Sequence, residues 1–295
     1  MKITQLLCKD TPSISFEVFP PKTESGFESV KAATEQIARL KPAYMSVTYG
    51  AGGGTSRYTL DIARNIEKSF GVPTLGHLTC VSSTRQTVLE RIRDIRQAGI
   101  ENVMALRGDI PAQLLDADRT GWDYRHAIDL VRQLRQEAPG LCIGGACYPE
   151  THPESPDQAT DIRHLKEKVE AGCDFLTTQM FFDNRLFLDF VEKLRKAGIF
   201  VPVIPGIMPI TNITQVERAV KLSGSYLPPE FLRLVDTYGS DPEAMKQAGL
   251  DYATEQLRSL YGCGVTNVHV YTMNKPDVAE TILGNLQDVL GKERL

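Results

Sequence analysis

Several things are scarce in this chain, and each scarcity removes a class of function. It has one tryptophan, Trp122, which falls outside every inferred strand end, so a sugar-stacking platform lacks its usual ring. It has no block of basic residues and a formal net charge of -4, from 33 basic and 37 acidic side chains, which argues against a dedicated nucleic-acid surface. Its six cysteines (8, 80, 142, 147, 173 and 263) contain no C-x-x-C pair and read mostly as small buried hydrophobes. The apolar stretch Ile199 to Ile210 is too short to cross a bilayer and carries Pro202, Pro205 and Pro209. The amino terminus has charges on both sides of a very short apolar run and lacks a signal-peptide core. The expectation is a cytoplasmic protein working on small molecules, with no nucleic acid or membrane partner and a homo-oligomer as the ordinary default.

What is present is a regular alternation. Strand-like runs fall at 14–19, 44–49, 74–80, 102–107, 142–148, 175–181, 201–207 and 268–274. Between them lie helical patterns at 27–40, 58–70, 85–98, 124–137, 157–171, 185–197 and 214–222, with a last one at 278–290. Gly71, Gly99, Gly172 and Gly198 each sit just past a helix, where a left-handed cap belongs. Eight β/α units in 295 residues, undivided by any low-complexity linker, predict one α/β domain over 1–295, a (β/α)8 TIM barrel. An extra helical region from Pro229 to Tyr261 precedes strand eight. A doubly wound open sheet is the alternative topology.

Glu17 is the most telling side chain. Residues 14, 16 and 18 are large and apolar while 13, 15 and 17 are serine, serine and glutamate, so Glu17 shares the polar face of a strand. Pro20 and Pro21 then end the ladder and leave the carboxylate at the strand's carboxyl end. Partial burial there is expected to raise its pKa to about 6 to 7, where it can give and take a proton. Reacting groups in barrels come from such ends, and reading only these positions returns Glu17, Thr48, Tyr49, His77, Arg107, Asp109, Tyr148, Gln179 and Asn274. Parity aims several inward: Ser46 and Thr48 alternate with Met45 and Val47, Arg107 follows Ala105, and Gln179 follows Thr177. The loop Gly50 to Ser56 lacks the glycine spacing of a dinucleotide fingerprint and reads as a ligand-covering loop. The segment Tyr148 to Glu154 holds a histidine and two carboxylates between prolines, open to a metal although no third ligand is near in sequence. The following helix carries Asp161, His164, Lys166 and Lys168, either a solvated face or a grip on phosphate and ribose.

Eight motifs in order carry a resemblance: SFEVFPPKT (15–23), SVTYGAGG (46–53), HLTC (77–80), ALRGD (105–109), YPETHPES (148–155), TQMFFD (178–183), PGIMP (205–209) and VHVYTMNK (268–275). Together they resemble the methylenetetrahydrofolate reductase family, in its bacterial catalytic form without a regulatory extension. The resemblance implies a TIM-barrel flavoprotein that binds FAD and takes hydride from NAD(P)H. It would reduce 5,10-methylenetetrahydrofolate to 5-methyltetrahydrofolate by a ping-pong scheme, within one-carbon metabolism and methionine biosynthesis. Glu17 would be the general acid, Asp109 the charge beside flavin and pterin, and Gln179 the amide that meets nicotinamide and pterin in turn. FAD contacts implied in the same way are Thr48, Tyr49, Ala51, His77, Arg107, Gly108, Asp109, Tyr124, Tyr148, His152, Asp161, His164 and Lys168. Arg107 and Lys168 would suit the pyrophosphate, and Asp161 a hydroxyl. Glu17, Thr48, Asp109, Gln179 and Lys275 would touch substrate. The chain departs from relatives at Ile213, where some place an aromatic ring, and at Lys275, where others carry arginine.

Two other readings stand beside this one. Glu17 and Asp109 could be the carboxylate pair of a barrel glycoside hydrolase. Alternatively, the chain could be a non-catalytic barrel subunit of a larger complex. No arginine is assignable to a 2′-phosphate, so NADH and NADPH stay level.

Overall fold

The structure, a computed structural model, describes residues 1–21, 23–49, 56–110, 114, 118 and 121–291. Ala51 and most of the loop at 50–56 fall outside that set. The strands are β1 (Ser13–Val18), β2 (Met45–Val47), β3 (Thr74–Thr79), β4 (Asn102–Leu106), β5 (Cys142–Cys147), β6 (Phe175–Thr178), β7 (Val203–Ile204), β8 (Gly206–Ile207) and β9 (Asn267–Tyr271). All pair in parallel, in the order β7-β6-β5-β4-β3-β2-β1-β9-β8. The predicted seventh strand is therefore two short pieces. Pro205 has no N–H to donate, so the run breaks there, with β7 laddered to β6 and β8 to β9. Because one continuous run occupies both edges of the sheet, the ring is nearly closed: an α/β barrel of the TIM type.

Helices cover the outside: α2 (Phe27–Arg39), α3 (Ser56–Phe70), α4 (Arg85–Ala98), α5 (Ala127–Glu137), α6 (Gln158–Glu170), α7 (Asn184–Lys196) and α8 (Ile213–Ser223), after a short α1 (Ile3–Leu7). Helix α4 shows why these segments fold locally. The Thr84 side chain caps its start by accepting from the Thr87 N–H, and Gly99 ends it in the left-handed region at φ 77°. Outward strand residues such as Phe16, Val47, Leu78 and Val103 pack on helix residues such as Ile37, Ile62, Ile92 and Leu130. Each such burial contributes roughly 1.5–3 kcal/mol. Cys80, Cys142, Cys147 and Cys173 are buried as expected, whereas Cys8 and Cys263 are exposed.

Inside the barrel, the two ends differ. At the amino-terminal end, Tyr44, Leu75, Met104, Phe175 and Ile204 form an apolar floor, and Ile3 and Leu7 of α1 plug it from below. A side chain at Gly144 would not fit this layer, because a Cβ there would lie 2.6 Å from the Phe175 ring. The sequence reading had no element at residues 3–7. A five-residue run is too short for helical periodicity to register.

The extra region before the last strand is α9 (Pro229–Tyr238) and α10 (Pro242–Gly262), in agreement with the expectation of helices there. Gly249 lets α10 approach the loop after β8 closely, since a Cβ would stand 1.7 Å from the Ile210 carbonyl oxygen. From that position Tyr252 Oη donates to the Phe182 carbonyl (2.7 Å) and Gln256 Nε2 to the Phe181 carbonyl (3.0 Å). These bonds hold the β6–α7 loop that follows Gln179. The predicted final helix breaks at Leu286 into α11 (Pro276–Asn285) and α12 (Gln287–Leu290). Among the described residues, no helix is long and apolar enough to cross a membrane.

Candidate active site

Above the apolar floor, the carboxyl ends of the strands open into a cavity of about 1130 Å³. Glu17 from β1, Asp109 after β4 and Gln179 after β6 all line it. The three groups singled out for chemistry therefore share one chamber. Thr48, Tyr49 and His77 line it from β2 and β3, Arg107 and Gly108 from the β4 end, and Tyr148 and His152 from the β5 end. Asp161, His164 and Lys168 join them at intervals of three and four residues along α6, which puts all three on one helical face.

Some expected residues stand elsewhere. Tyr124 is buried against the outer core and lines a separate cavity of about 240 Å³ with Arg85 and Asp123. His126, two positions on, lines the main chamber instead. Its backbone N–H donates to Asp129 at 3.0 Å, which holds the start of α5 at the rim. Lys275 is not among the lining residues; its Nζ donates to Thr211 Oγ1 at 2.8 Å. Asn274 is structural: its side chain accepts from the Phe19 N–H and donates to the Phe19 carbonyl, both at 2.9 Å, clipping β1 to the end of β9. Ile213 begins α8 as an exposed apolar residue.

The parity assigned to Arg107 is corrected by the structure. Val103 and Ala105 belong to the outer core, while Met104 and Leu106 pack with the interior layer. Arg107 is thus on outward parity and reaches the chamber only because β4 ends at Leu106. There it meets a partner the sequence did not suggest. Glu154 takes both guanidinium nitrogens, with Nη2 to Oε1 at 2.9 Å, and this bond raises the Arg107 pKa further. The segment at 148–154 also resolves. His152 Nδ1 accepts from the Glu154 N–H at 3.1 Å, its ring lies edge-on to Tyr148, and the His152 backbone N–H donates to Asp161 Oδ2 at 2.9 Å. Burial lowers the His152 pKa, so the ring is neutral. Among the described residues, no three His, Cys, Asp or Glu side chains converge as a metal site requires. Lys168 Nζ reaches across to the Ala146 carbonyl at 2.5 Å.

Glu17 differs most from expectation. Burial does push its pKa up, but the nearby imidazoles of His269 and His77 and the Ser46 hydroxyl outweigh burial and bring it below the ordinary value. The carboxylate is ionised at neutral pH, not poised near 6 to 7. Its Oε2 accepts from Ser46 Oγ at 3.1 Å and lies 3.5 Å from His77 Nε2 and 3.8 Å from His269 Nε2. Burial lowers the pKa of His77, only partly offset by Glu17, and its Nε2 has no hydrogen-bond partner. Ser46 was read as inward but given no role, and His269 escaped the sequence reading, although it sits on the inward parity of its strand, as Glu17 does.

A family model described as methylenetetrahydrofolate reductase matches residues 2–287. Methylenetetrahydrofolate reductase (NADH) 1 of Arabidopsis thaliana is 35% identical over 97% of this chain, and methylenetetrahydrofolate reductase 1 of Schizosaccharomyces pombe 36% over 97%. The chain spans about half the length of these two relatives, 50% and 48%. The 5,10-methylenetetrahydrofolate reductase of Escherichia coli is 34% identical, over 93% of this chain and 90% of the relative. Among solved structures, a Clostridium thermocellum protein that binds two copies of 5-methyl-5,6,7,8-tetrahydrofolic acid superposes with a TM-score of 0.70 over 98% of this chain and 99% of its own. At 16% identity that likeness speaks for the barrel alone. A family match over nearly the whole chain, joined to relatives of similar extent and to strand-end residues gathered in one chamber, leads to one assignment: this chain belongs to the methylenetetrahydrofolate reductase family.

Proposed function

We propose that the chain reduces 5,10-methylenetetrahydrofolate to 5-methyltetrahydrofolate with hydride from NAD(P)H by way of bound FAD, the two substrates using the chamber in turn. The observation that carries this reading is the meeting of Glu17, Asp109 and Gln179 in a single cavity of a chain of this family. When bound, FAD would supply a hydride carrier between the nicotinamide and the folate. The chamber fits such a group in size and donor set: it exceeds an ordinary small-ligand pocket, with Arg107 and Lys168 as cations for a pyrophosphate and Asp161 and His152 alongside. At Gly108, φ 87° and a would-be Cβ only 3.0 Å from Thr79 and Val81 leave backbone alone at the wall.

The chain's own groups then divide the work. The bridging methylene must open to a cationic iminium before hydride arrives, and Glu17 delivers a proton to the departing nitrogen. Asp109, exposed in the chamber, places a negative charge where the folate becomes positive. Gln179 is anchored by its own Oε1, which accepts from the Met180 N–H at 2.9 Å, and its amide sits against the Tyr148 hydroxyl at the chamber wall. The Clostridium thermocellum barrel's methyltetrahydrofolate is in keeping with a folate here.

The test is anaerobic stopped-flow on the purified chain. Flavin absorbance should bleach with NADH or NADPH and return on adding methylenetetrahydrofolate. A colourless protein that gains no flavin on adding FAD removes the cofactor from the proposal. A reduced flavin that the folate does not reoxidise removes the substrate.

A further inference from the structure

Behind Glu17 lies a buried chain of polar groups that the acid step does not use. His269 on β9 is 2% exposed, stacked on Tyr44 and edge-on to Tyr271. Its Nδ1 is 2.7 Å from Ser15 Oγ, and its Nε2 is 3.0 Å from Ser46 Oγ. Ser15 Oγ also donates to the Val268 carbonyl at 2.9 Å, and Ser46 Oγ to Glu17 Oε2 at 3.1 Å. Each of these four contacts needs one hydrogen between its atoms. A carbonyl and an ionised carboxylate bring none, each serine brings one, and a neutral imidazole brings one. The set is one hydrogen short.

We infer that Glu17 and His269 share one additional proton through the Ser46 hydroxyl, and that His269 is the residue that stores it for Glu17. With the proton on the imidazole, both ring nitrogens donate, to Ser15 and Ser46, and Ser46 donates to the carboxylate. With the proton on Glu17, the carboxyl donates to Ser46, Ser46 donates to Nε2, and only Nδ1 keeps a hydrogen. Both arrangements satisfy all four contacts. They interconvert when Nε2–H passes its proton to Ser46 Oγ while the Ser46 hydroxyl passes its own to Glu17 Oε2, so His269 loses one proton, Glu17 gains one, and Ser46 ends as it began.

This rests on the proposed folate reduction and resolves a difficulty in it, because an acid must carry a proton and Glu17 is ionised in the open chamber. Ligands that displace water make the separated charges of imidazolium and carboxylate costly, which drives the proton onto Glu17. In turnover the carbon–nitrogen bond breaks, the nitrogen takes that proton, the carbon takes the hydride that NAD(P)H supplies, and one proton from solvent reloads the pair. His269 is a positioning residue, since it acts through Glu17. The titratable groups facing the pair are His77 from β3, Tyr44 beside β2 and Tyr271 from β9.

The inference is tested by NMR on the purified full chain with ring-15N histidine and side-chain-13C glutamate, at about pH 8, where a free imidazole is neutral. The expected result is one of two patterns: a histidine with both ring nitrogens protonated, lost in His269→Gln, or a protonated Glu17 carboxyl, lost in Glu17→Gln. In Glu17→Gln the imidazole should be singly protonated, because the new amide supplies the missing hydrogen. A neutral His269 beside an ionised Glu17 in the unaltered chain overturns the inference. A kinetic arm reads the same proton. In His269→Gln the folate step should slow about tenfold or more and fall steadily as pH rises, with KM within about twofold, because solvent must then supply the acid. If His269→Gln does not fold, Ser46→Ala cuts the same path and should give the same pH dependence; an unchanged profile counts against the inference. Should the unaltered chain fail to reduce methylenetetrahydrofolate, the functional reading falls while the NMR arm still decides the shared proton.

Discussion

Arg107 and Glu154 face each other at the rim of the chamber as a two-pronged ion pair, the carboxylate half-exposed and the guanidinium mostly covered. A carboxylate on that fork occupies the position a pyrophosphate would want, so the pair competes with an anionic ligand. Exposed pairs are worth about 0–1 kcal/mol, and that is the range of the competition. Glu154→Gln is expected to tighten FAD by a factor of about two to five, with a stronger salt dependence because the Arg107 charge is then unopposed. Flavin fluorescence titrations at two salt concentrations check this. Equal weakening in Glu154→Gln and Arg107→Ala would show instead that Glu154 only orients the arginine.

Glu17→Gln keeps the shape of the side chain and removes its proton. We expect folate reduction to fall by about 10²- to 10⁴-fold, while NAD(P)H oxidation with an artificial acceptor persists. Steady-state rates with both acceptors decide it. Undiminished folate reduction by the mutant would take Glu17 out of the mechanism.

His77 should set part of the acid sensitivity of the fold. Its folded pKa is depressed, so the unfolded chain takes a proton that the folded chain resists. Its share of stability is complete above the unfolded pKa, about 6.5, and declines as pH drops from there through the folded pKa. Urea midpoints at successive pH values below neutrality should fall in the unaltered chain and fall less in His77→Gln. Glu17, also depressed, acts in a lower window, because its share is complete above its ordinary value of 4.5 and is lost as pH falls through a folded pKa below that. An identical decline in both proteins would mean that the His77 proton is not linked to folding.

The added helices should matter to the site through Gln179. Tyr252→Phe removes the bond to the Phe182 carbonyl and is expected to cost about 0.5–1.5 kcal/mol of stability. It should raise KM for one or both substrates, because the loop after Gln179 loses an anchor. Gly249→Ala is expected to be worse, about 1–3 kcal/mol, since its Cβ would overlap the Ile210 carbonyl. Thermal unfolding with kinetics on the same samples tests both. A Tyr252→Phe protein with unaltered KM would leave α10 a purely structural addition.

The alternation of residues 13–18 was enough to aim Glu17 inward, because strand period depends only on near neighbours. Arg107 shows where that logic stops, since the strand ended one residue before parity would have turned its side chain outward. Pro205 marked the break between β7 and β8 in plain view, but a single proline does not say whether a strand bends or splits. The partners of Glu17 and Arg107 were hidden for a different reason. Glu17 meets His269 across 252 positions of chain and Arg107 meets Glu154 across 47, and such pairings follow from the register of a closed ring. Tyr124, read as the first residue of a helix, stands before α5 begins at Ala127 and lines the smaller cavity, while His126 lines the main chamber.

Helix α1 makes the barrel a cul-de-sac. With Ile3 and Leu7 corked into the far end, the described residues leave the strand tips as the way in. If two visitors used such a room in turn, the spent one would have to back out before its successor came in. An alternating order of events would then follow from the architecture of the entrance, with no need for either visitor to alter the protein's shape.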